Sequence, residues 1–133
     1  MSIGLLLITH SRIGEALLET ASKMLEGSEL PVIRTLSVGV DCNPDQISLE
    51  ARSLLKSLDE GQGVLVFTDM YGSTPSNIAF ALAEKNRVNV ISGVNLPMLI
   101  RTLNYPALDL KAMTEKAVSG GREGIHCCER VIK

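Results

Sequence analysis

Short apolar runs alternate with amphipathic helical patterns along the chain, and this alternation constrains the fold more than any other feature. Four runs have the length and aliphatic composition of buried strands, and the segments between them repeat apolar residues at helical spacing. The runs cover residues 3–8, 32–38, 64–69 and 88–93. Strands that alternate with helices through short loops predict right-handed βαβ units and therefore a parallel sheet.

Capping signals predict where the helices begin. Asn43 can cap the second helix, Pro44 fits its first position, and Asp109 can cap the fifth. The third helical pattern starts at Pro75 and is predicted to continue to residues 85–86. The pattern predicts five helices in all, enough to cover both faces of a small sheet.

Composition supports one α/β domain whose core is filled by aliphatic side chains. Of 133 residues, 45% are apolar and only 3% are aromatic, which suits parallel strands buried by helices on both faces. No linker or repeat interrupts the pattern, so we predict a single domain over residues 1–133. We expect a flavodoxin-like sheet with strand order 2-1-3-4, in which the loops after strands 1 and 3 lie side by side.

Charge, hydropathy and cysteine content disfavour several classes of function. A net charge of −2 and few aromatic side chains argue against nucleic acid as a partner. No apolar run approaches the roughly 18 residues of a membrane span, and none resembles a signal peptide, so we expect a cytoplasmic protein without membrane insertion. Cys42, Cys127 and Cys128 form no metal-ligand spacing, so we predict reduced thiols and no metal or other cofactor.

Two polar loops are predicted to converge at the carboxyl edge of the sheet. The first, THSR, carries His10 after strand 1, and the second, DMYGSTP, carries Asp69 after strand 3. A carboxylate that accepts a hydrogen bond from one imidazole nitrogen fixes the tautomer and leaves the other nitrogen as a nucleophile. His10 and Asp69 are therefore the candidate catalytic residues.

Small polar residues beside this pair are candidates for binding a phosphoryl group. Hydroxyls and backbone N–H groups at the start of a helix stabilise phosphate oxygens without a metal. The residues concerned are Ser11, Gly72, Ser73 and Thr74. The alternative is structural, because Thr74 and Pro75 also form an ordinary helix start and an aspartate often closes a turn. The residues alone leave both interpretations open.

Other chemistries known for this architecture fit less well. A receiver domain needs an acidic pair after strand 1, where this chain has Thr9, His10 and Ser11. A histidine phosphatase needs an arginine directly before its nucleophilic histidine, and a hydrolase needs a nucleophile elbow. A dinucleotide site needs GxGxxG after strand 1, and the sequence does not contain it.

Four longer motifs follow one another through nearly the whole chain. They read THSRIGEALLETA, GVLVFTDMYGSTPSNIA, VISGVNLPMLIRTL and AVSGGREGI. With them the sequence resembles the mannose-family IIA component of the bacterial phosphoenolpyruvate-dependent sugar phosphotransferase system. The resemblance implies a phosphoryl carrier, in which His10 matches the histidine that accepts a phosphoryl group from the phosphocarrier HPr. Asp69 matches the carboxylate that orients this histidine.

The resemblance also implies partners. Members of the family pass the phosphoryl group to a IIB partner that phosphorylates the incoming sugar, and they are typically homodimers. Because the sequence ends at Lys133, we expect the IIB partner to be a separate chain. Thr74 falls where the family usually has a phosphate-facing serine. Ser73 replaces the second glycine of the usual Asp-x-Trp-Gly-Gly-Ser-Pro loop, which puts in question any backbone geometry there that needs a positive φ.

A docking surface around His10 is predicted in the same loops, with the mixture of apolar and polar groups that a weak, transient interface has. The candidates are Arg12, Met70, Tyr71 and Met98. For Met70 and Met98 the alternative is a place in the core, and for Arg12 it is a solvated position on the helix. Three roles fit a carrier: sugar uptake, regulation by a IIA protein without a transporter, or donation to a dihydroxyacetone-kinase relay. A module that binds phosphate without a covalent bond is the alternative from a different class.

Overall fold

Across residues 2–129, four parallel strands form one sheet and five helices pack on its two faces. The computed structural model describes this range; Met1 and residues 130–133, and with them both ends of the predicted domain, lie outside the described residues. The strand order is β2-β1-β3-β4, which confirms the predicted order. The elements are β1 (Gly4–His10), α1 (Ile13–Met24), β2 (Ile33–Val38), α2 (Pro44–Leu58), β3 (Val64–Thr68), α3 (Thr74–Phe80), β4 (Val88–Ser92), α4 (Leu96–Leu103) and α5 (Leu110–Glu123).

Aliphatic side chains bury the sheet on both faces, as the composition predicts. Leu5 and Leu7 of β1 pack into a cluster with α1, α4 and α5, whereas Leu6 and Ile8 pack on the opposite face with α2 and α3. Burial on two faces explains why the central strands are continuous apolar runs. The carboxyl ends of β1 and β3 are therefore held rigidly beside each other. None of the helices in the described range is long and apolar enough to cross a membrane.

Two predicted helix caps are confirmed by their hydrogen bonds. The side-chain oxygen of Asn43 accepts from the backbone N–H groups of Asp45 at 3.0 Å and Gln46 at 3.4 Å. The Asp109 carboxylate accepts from the N–H of Ala112 at 2.8 Å. Each cap satisfies donors that a helix start leaves without an intrahelical partner, and so fixes where the helix begins.

The prediction for the end of the third helix is wrong. α3 ends at Phe80, because Ala83 N donates to Phe80 O at 3.2 Å and tightens the last turn. Glu84 then exchanges two backbone hydrogen bonds with Val88, at 3.0 and 2.8 Å, and closes a turn with Asn86 at a φ of 65°. Local pairing with the start of β4 therefore replaces the last helical turns, although the apolar spacing would have allowed them.

Candidate functional site

His10 and Asp69 meet at the carboxyl edge of the sheet, as the loop positions predict. His10 is the last residue of β1, which runs two residues further than predicted, and Asp69 directly follows β3. Asp69 Oδ2 accepts a hydrogen bond from the backbone N–H of His10 at 2.9 Å and lies 2.9 Å from Nδ1 of its ring. The Asp69 side chain is 11% exposed, whereas that of His10 is 42% exposed. A shielded carboxylate thus holds an accessible imidazole.

The hydrogen bonds around Asp69 determine which imidazole nitrogen carries the proton. Burial raises the pKa of Asp69, but the backbone and ring N–H groups of His10 lower it by more, so its net pKa is below 3.8. An ionised carboxylate only accepts hydrogen bonds. Nδ1 of His10 therefore carries a proton and donates a hydrogen bond to Asp69 Oδ2. Nε2 keeps its lone pair, and no protein group competes for it within the described residues.

A second backbone contact fixes the Asp69 carboxylate on its other side. Oδ1 accepts from the N–H of Met70 at 3.0 Å, while Oδ2 binds His10. The carboxylate is thus held by main-chain groups from β1 and from the loop after β3. Because both attachments are backbone groups, the orientation of the imidazole follows from the sheet itself.

The turn from β1 into α1 exposes His10 without disturbing the core. Ser11 has a φ of 45°, a left-handed conformation that an L-residue adopts only rarely. The side-chain oxygen of Thr9, which is buried, accepts from the N–H of Gly14 at 2.8 Å and so satisfies the first turn of α1. Thr9 anchors the helix start from inside the strand, which leaves Ser11 and Arg12 on the surface.

A cavity of about 420 Å³ opens beside the His10 ring, between the β2–α2 loop and the start of α3. Two of the predicted phosphate-binding residues, Ser11 and Thr74, line it. The complete lining consists of His10, Ser11, Val38, Gly39, Val40, Cys42, Pro44, Thr74 and Pro75. The lining therefore combines the imidazole-bearing residue with two residues that carry hydroxyls.

The structure does not bring the predicted phosphate-binding residues Gly72 and Ser73 to this cavity. The N–H of Gly72 donates to Ser76 Oγ at 3.3 Å, and the hydroxyl of Ser73 donates to Met70 O at 2.6 Å. The positive φ of this loop falls on Gly72, at 86°, while Ser73 has an extended backbone with a φ of −86°. Serine in place of the second family glycine therefore causes no backbone strain.

Three of the four predicted docking residues are on the surface near His10. The Arg12 side chain is 86% exposed, Met70 is 60% exposed and Tyr71 is 75% exposed. The prediction for Met98 is wrong, because this side chain is 5% exposed and belongs to the core. It packs against Gly121 of α5, where a side chain on the glycine would leave it no room.

The β2–α2 loop contributes to the site although the sequence analysis assigned it no role. Val38 of β2 lies opposite His10 in the sheet register, and Val40 and Cys42 of the loop line the cavity. The predicted strand order already places this loop at the site, because β2 neighbours β1 and its carboxyl end reaches the same edge of the sheet. The residues nearest the strand end, Val38, Gly39 and Val40, have no polar side chain, so their residue types do not indicate a site.

No metal site accompanies this pair in the part of the chain that the structure describes. Within it, no group of three or more histidine, cysteine and acidic side chains is arranged to hold a metal ion. The lining residues with polar side chains are His10, Ser11, Cys42 and Thr74. Of these groups, the two hydroxyls can donate hydrogen bonds to phosphate oxygens.

Comparison with known families gives the same assignment over most of the chain. The family model EIIA-man, described as the PTS system fructose IIA component, matches residues 4–118. The chain belongs to this family. It is 32% identical over 130 residues to the PTS system mannose-specific EIIAB component of Escherichia coli (strain K12), covering 94% of this chain and 39% of the relative. This chain therefore spans well under half of that protein's length.

Two further comparisons concern a second relative and a solved structure. The PTS system fructose-specific EIIA component of Bacillus subtilis (strain 168) is 38% identical over 72 residues, which is 47% of this chain and 49% of that protein. Among solved structures, the mannose/sorbose specific IIA subunit of the phosphotransferase system from Enterococcus faecalis superposes with a TM-score of 0.83. That comparison covers 100% of this chain and 99% of the other at 22% identity, and it supports the fold.

Proposed function

We propose that this EIIA-man protein is a phosphoryl carrier that accepts a phosphoryl group on Nε2 of His10 from phosphorylated HPr. It then passes the group to a IIB partner for sugar uptake. The observation that carries the proposal is the contact of 2.9 Å between Nδ1 of His10 and Oδ2 of Asp69. Membership of the family supports a phosphotransferase component, and the IIA–IIB order is what the resemblance implies.

The transfer step exchanges one N–P bond for another. The lone pair of His10 Nε2 attacks the phosphorus atom held by the donor's histidine. A new N–P bond forms while the old one breaks, and the bonding pair returns to the donor's imidazole. The proton on Nδ1 stays where it is, so the phosphorylated ring of His10 develops positive charge. The Asp69 carboxylate, which is 11% exposed, stabilises that charge from 2.9 Å.

The phosphoryl oxygens need donors, and the cavity beside the ring supplies them. The hydroxyl of Thr74 lies at the start of α3, and its backbone N–H has no acceptor among residues 2–129. Ser11 offers a second hydroxyl from the turn after β1. Free N–H groups at a helix start favour anions. We assign Thr74 and Ser11 to the phosphoryl oxygens, with Gly72 and Ser73 supporting the loop.

Docking of HPr and of the IIB partner requires access to His10 from outside. Two histidines share one phosphorus atom during transfer, so each must approach it within a few ångströms. Arg12, Met70 and Tyr71 are exposed in the loops that carry His10 and Asp69, and they offer both apolar and polar surface, which fits a contact of micromolar strength or weaker. We further propose a homodimer in the cytoplasm, as the resemblance implies; light scattering after size exclusion would measure the mass in solution.

Incubation with phosphoenolpyruvate, enzyme I and HPr tests the proposal. We expect a covalent label on the protein that is labile to acid and stable to base, as phosphohistidine is. The matched control omits HPr and should give no label. If phosphate bound reversibly without a covalent label, the protein would be a phosphate-binding module and the carrier function would be wrong.

A further inference from the structure

The loops around His10 carry an excess of negative charge. We define the rim as the loops that follow the four strands together with the first turns of the helices after them, residues 11–16, 39–47, 69–77 and 93–99. Its charged side chains are Arg12, Glu15, Asp41, Asp45 and Asp69. One cation therefore stands among four carboxylates, and it lies only two residues after His10.

Arg12 is tied down by Glu15 rather than left free. Its Nε donates to Glu15 Oε2 at 3.1 Å, and the hydroxyl of Ser37 donates to the other carboxylate oxygen at 3.1 Å. Ser37 belongs to β2 and pairs with Thr9 in the sheet register. The carboxylate is thus anchored to the sheet on one side and holds the guanidinium on the other.

We propose that Glu15 is a positioning residue that masks the positive charge of Arg12, so that the rim attracts a donor protein through that donor's cationic side chains. The inference rests on the proposed function. It adds a role for Glu15 and the expectation that the donor presents cationic side chains to the rim. Charges at the edge of an interface change the association rate and its salt dependence more than the chemistry. An unmasked Arg12 would repel such a donor next to the reacting histidine.

A second ion pair on the same helix provides the matched control. Lys23 Nζ lies 3.2 Å from Glu19 Oε1, and both side chains are more exposed than Glu15. Within the described residues, Glu19 makes no other side-chain hydrogen bond, whereas Glu15 has a second one to Ser37. Glu19 also lies outside the rim. A general effect of losing a glutamate from α1 would appear in both variants.

Steady-state transfer from phosphorylated HPr tests the role, with KM and kcat measured separately. Glu15→Gln should raise KM about fivefold with kcat unchanged, and its KM should rise less steeply with salt than that of the parent. Glu15→Asp keeps the charge but shortens the reach, and it should raise KM about twofold. The double variant Arg12→Gln/Glu15→Gln should have a lower KM than Glu15→Gln, because it no longer carries the unpaired positive charge. Glu19→Gln should leave both constants unchanged.

Three outcomes would overturn the inference. One is an unchanged KM in Glu15→Gln, with His10 still phosphorylated. Another is a double variant no better than Glu15→Gln, which would show that Arg12 itself binds the donor. The third is Glu15→Asp equal to the parent, which would show that charge suffices without positioning. Failure of the proposed function looks different, because the unmodified protein itself would then take no phosphoryl group from HPr.

Discussion

Two aspartates at opposite edges of the sheet are held in nearly the same way, yet they serve different ends. Asp59, before β3, accepts from the N–H groups of Gly61 at 2.8 Å and Gly63 at 3.1 Å and pairs with Arg87. Asp69, after β3, accepts from two backbone N–H groups and pairs with His10. For both carboxylates, burial raises the pKa. Hydrogen bonds and the paired side chain lower it by more, so each net pKa lies below 3.8.

The partner decides what each carboxylate can do. The guanidinium of Arg87 stays charged and has no lone pair to offer, so Asp59 closes the turn between α2 and β3 and does no chemistry. The imidazole of His10 keeps one nucleophilic nitrogen when the other donates to Asp69. On the proposed function, the same carboxylate clamp is structural at the amino edge of the sheet and chemical at the carboxyl edge.

Removing the nucleophile should have the largest effect. His10→Gln should fold normally and take up no phosphoryl group from phosphorylated HPr, because glutamine offers no nucleophilic nitrogen. Circular dichroism and radiolabel incorporation measure the two properties. The control is His126→Gln, which removes an exposed histidine after α5 and should leave labelling intact. Labelling of the His10 variant at the normal level would refute the assignment.

Removing the negative charge behind the nucleophile should slow transfer. Asp69→Asn keeps an oxygen for the backbone N–H of His10 but loses the charge that stabilises the phosphorylated ring, and we expect transfer about 10²-fold slower. Asp59→Asn is the matched change at the other edge and should leave transfer unaltered. It should lower the free energy of unfolding by about 1 kcal/mol, because the Arg87 pair loses its charge. Equal transfer rates in Asp69→Asn and Asp59→Asn would contradict the proposed difference between the two aspartates.

Asp59 and Asp69 should contribute in the same direction to the pH dependence of the free energy of unfolding. Each has a folded-state pKa below its ordinary value of 3.8, so the unfolded chain binds more protons than the folded one in this range. The stabilisation is complete well above pH 3.8 and is lost as the pH falls through the folded pKa. Urea unfolding between pH 6 and about pH 3 should therefore depend less on pH in Asp59→Asn and in Asp69→Asn than in the parent. An unchanged pH dependence in either variant would contradict the assigned pKa direction.

Replacing the thiols should have the smallest effect. Cys42 lines the cavity, and Cys127 and Cys128 are exposed after α5. None of them contacts Nε2 of His10 through a hydrogen bond in the described residues. Substitution of all three by serine should leave the transfer rate within about twofold of the parent, measured in the same assay. A large loss with an unchanged melting temperature would show that the thiol of Cys42 takes part.

The sequence predicts the contact between His10 and Asp69 because parallel strands bring their carboxyl ends to one edge. Periodicity alone does not give the strand order; the order 2-1-3-4 is expected because small parallel sheets of this kind commonly have it, and the structure confirms it. The sequence leaves Met98 open between the core and the docking surface, since a turn of helix with apolar residues on several sides does not reveal which side meets α5. The tether of Glu15 to Ser37 joins residues 22 positions apart, and no local pattern encodes it.

The central claim is that Asp69 leaves Nε2 of His10, and no other nitrogen, free to accept the phosphoryl group. NMR of ¹⁵N-histidine-labelled protein, phosphorylated with phosphoenolpyruvate, enzyme I and HPr, measures this directly through the coupling between phosphorus and the ring nitrogens. We predict one phosphohistidine, at His10, with the phosphorus on Nε2 and a proton on Nδ1. Phosphorus on Nδ1 of His10, or on His126, would contradict the account.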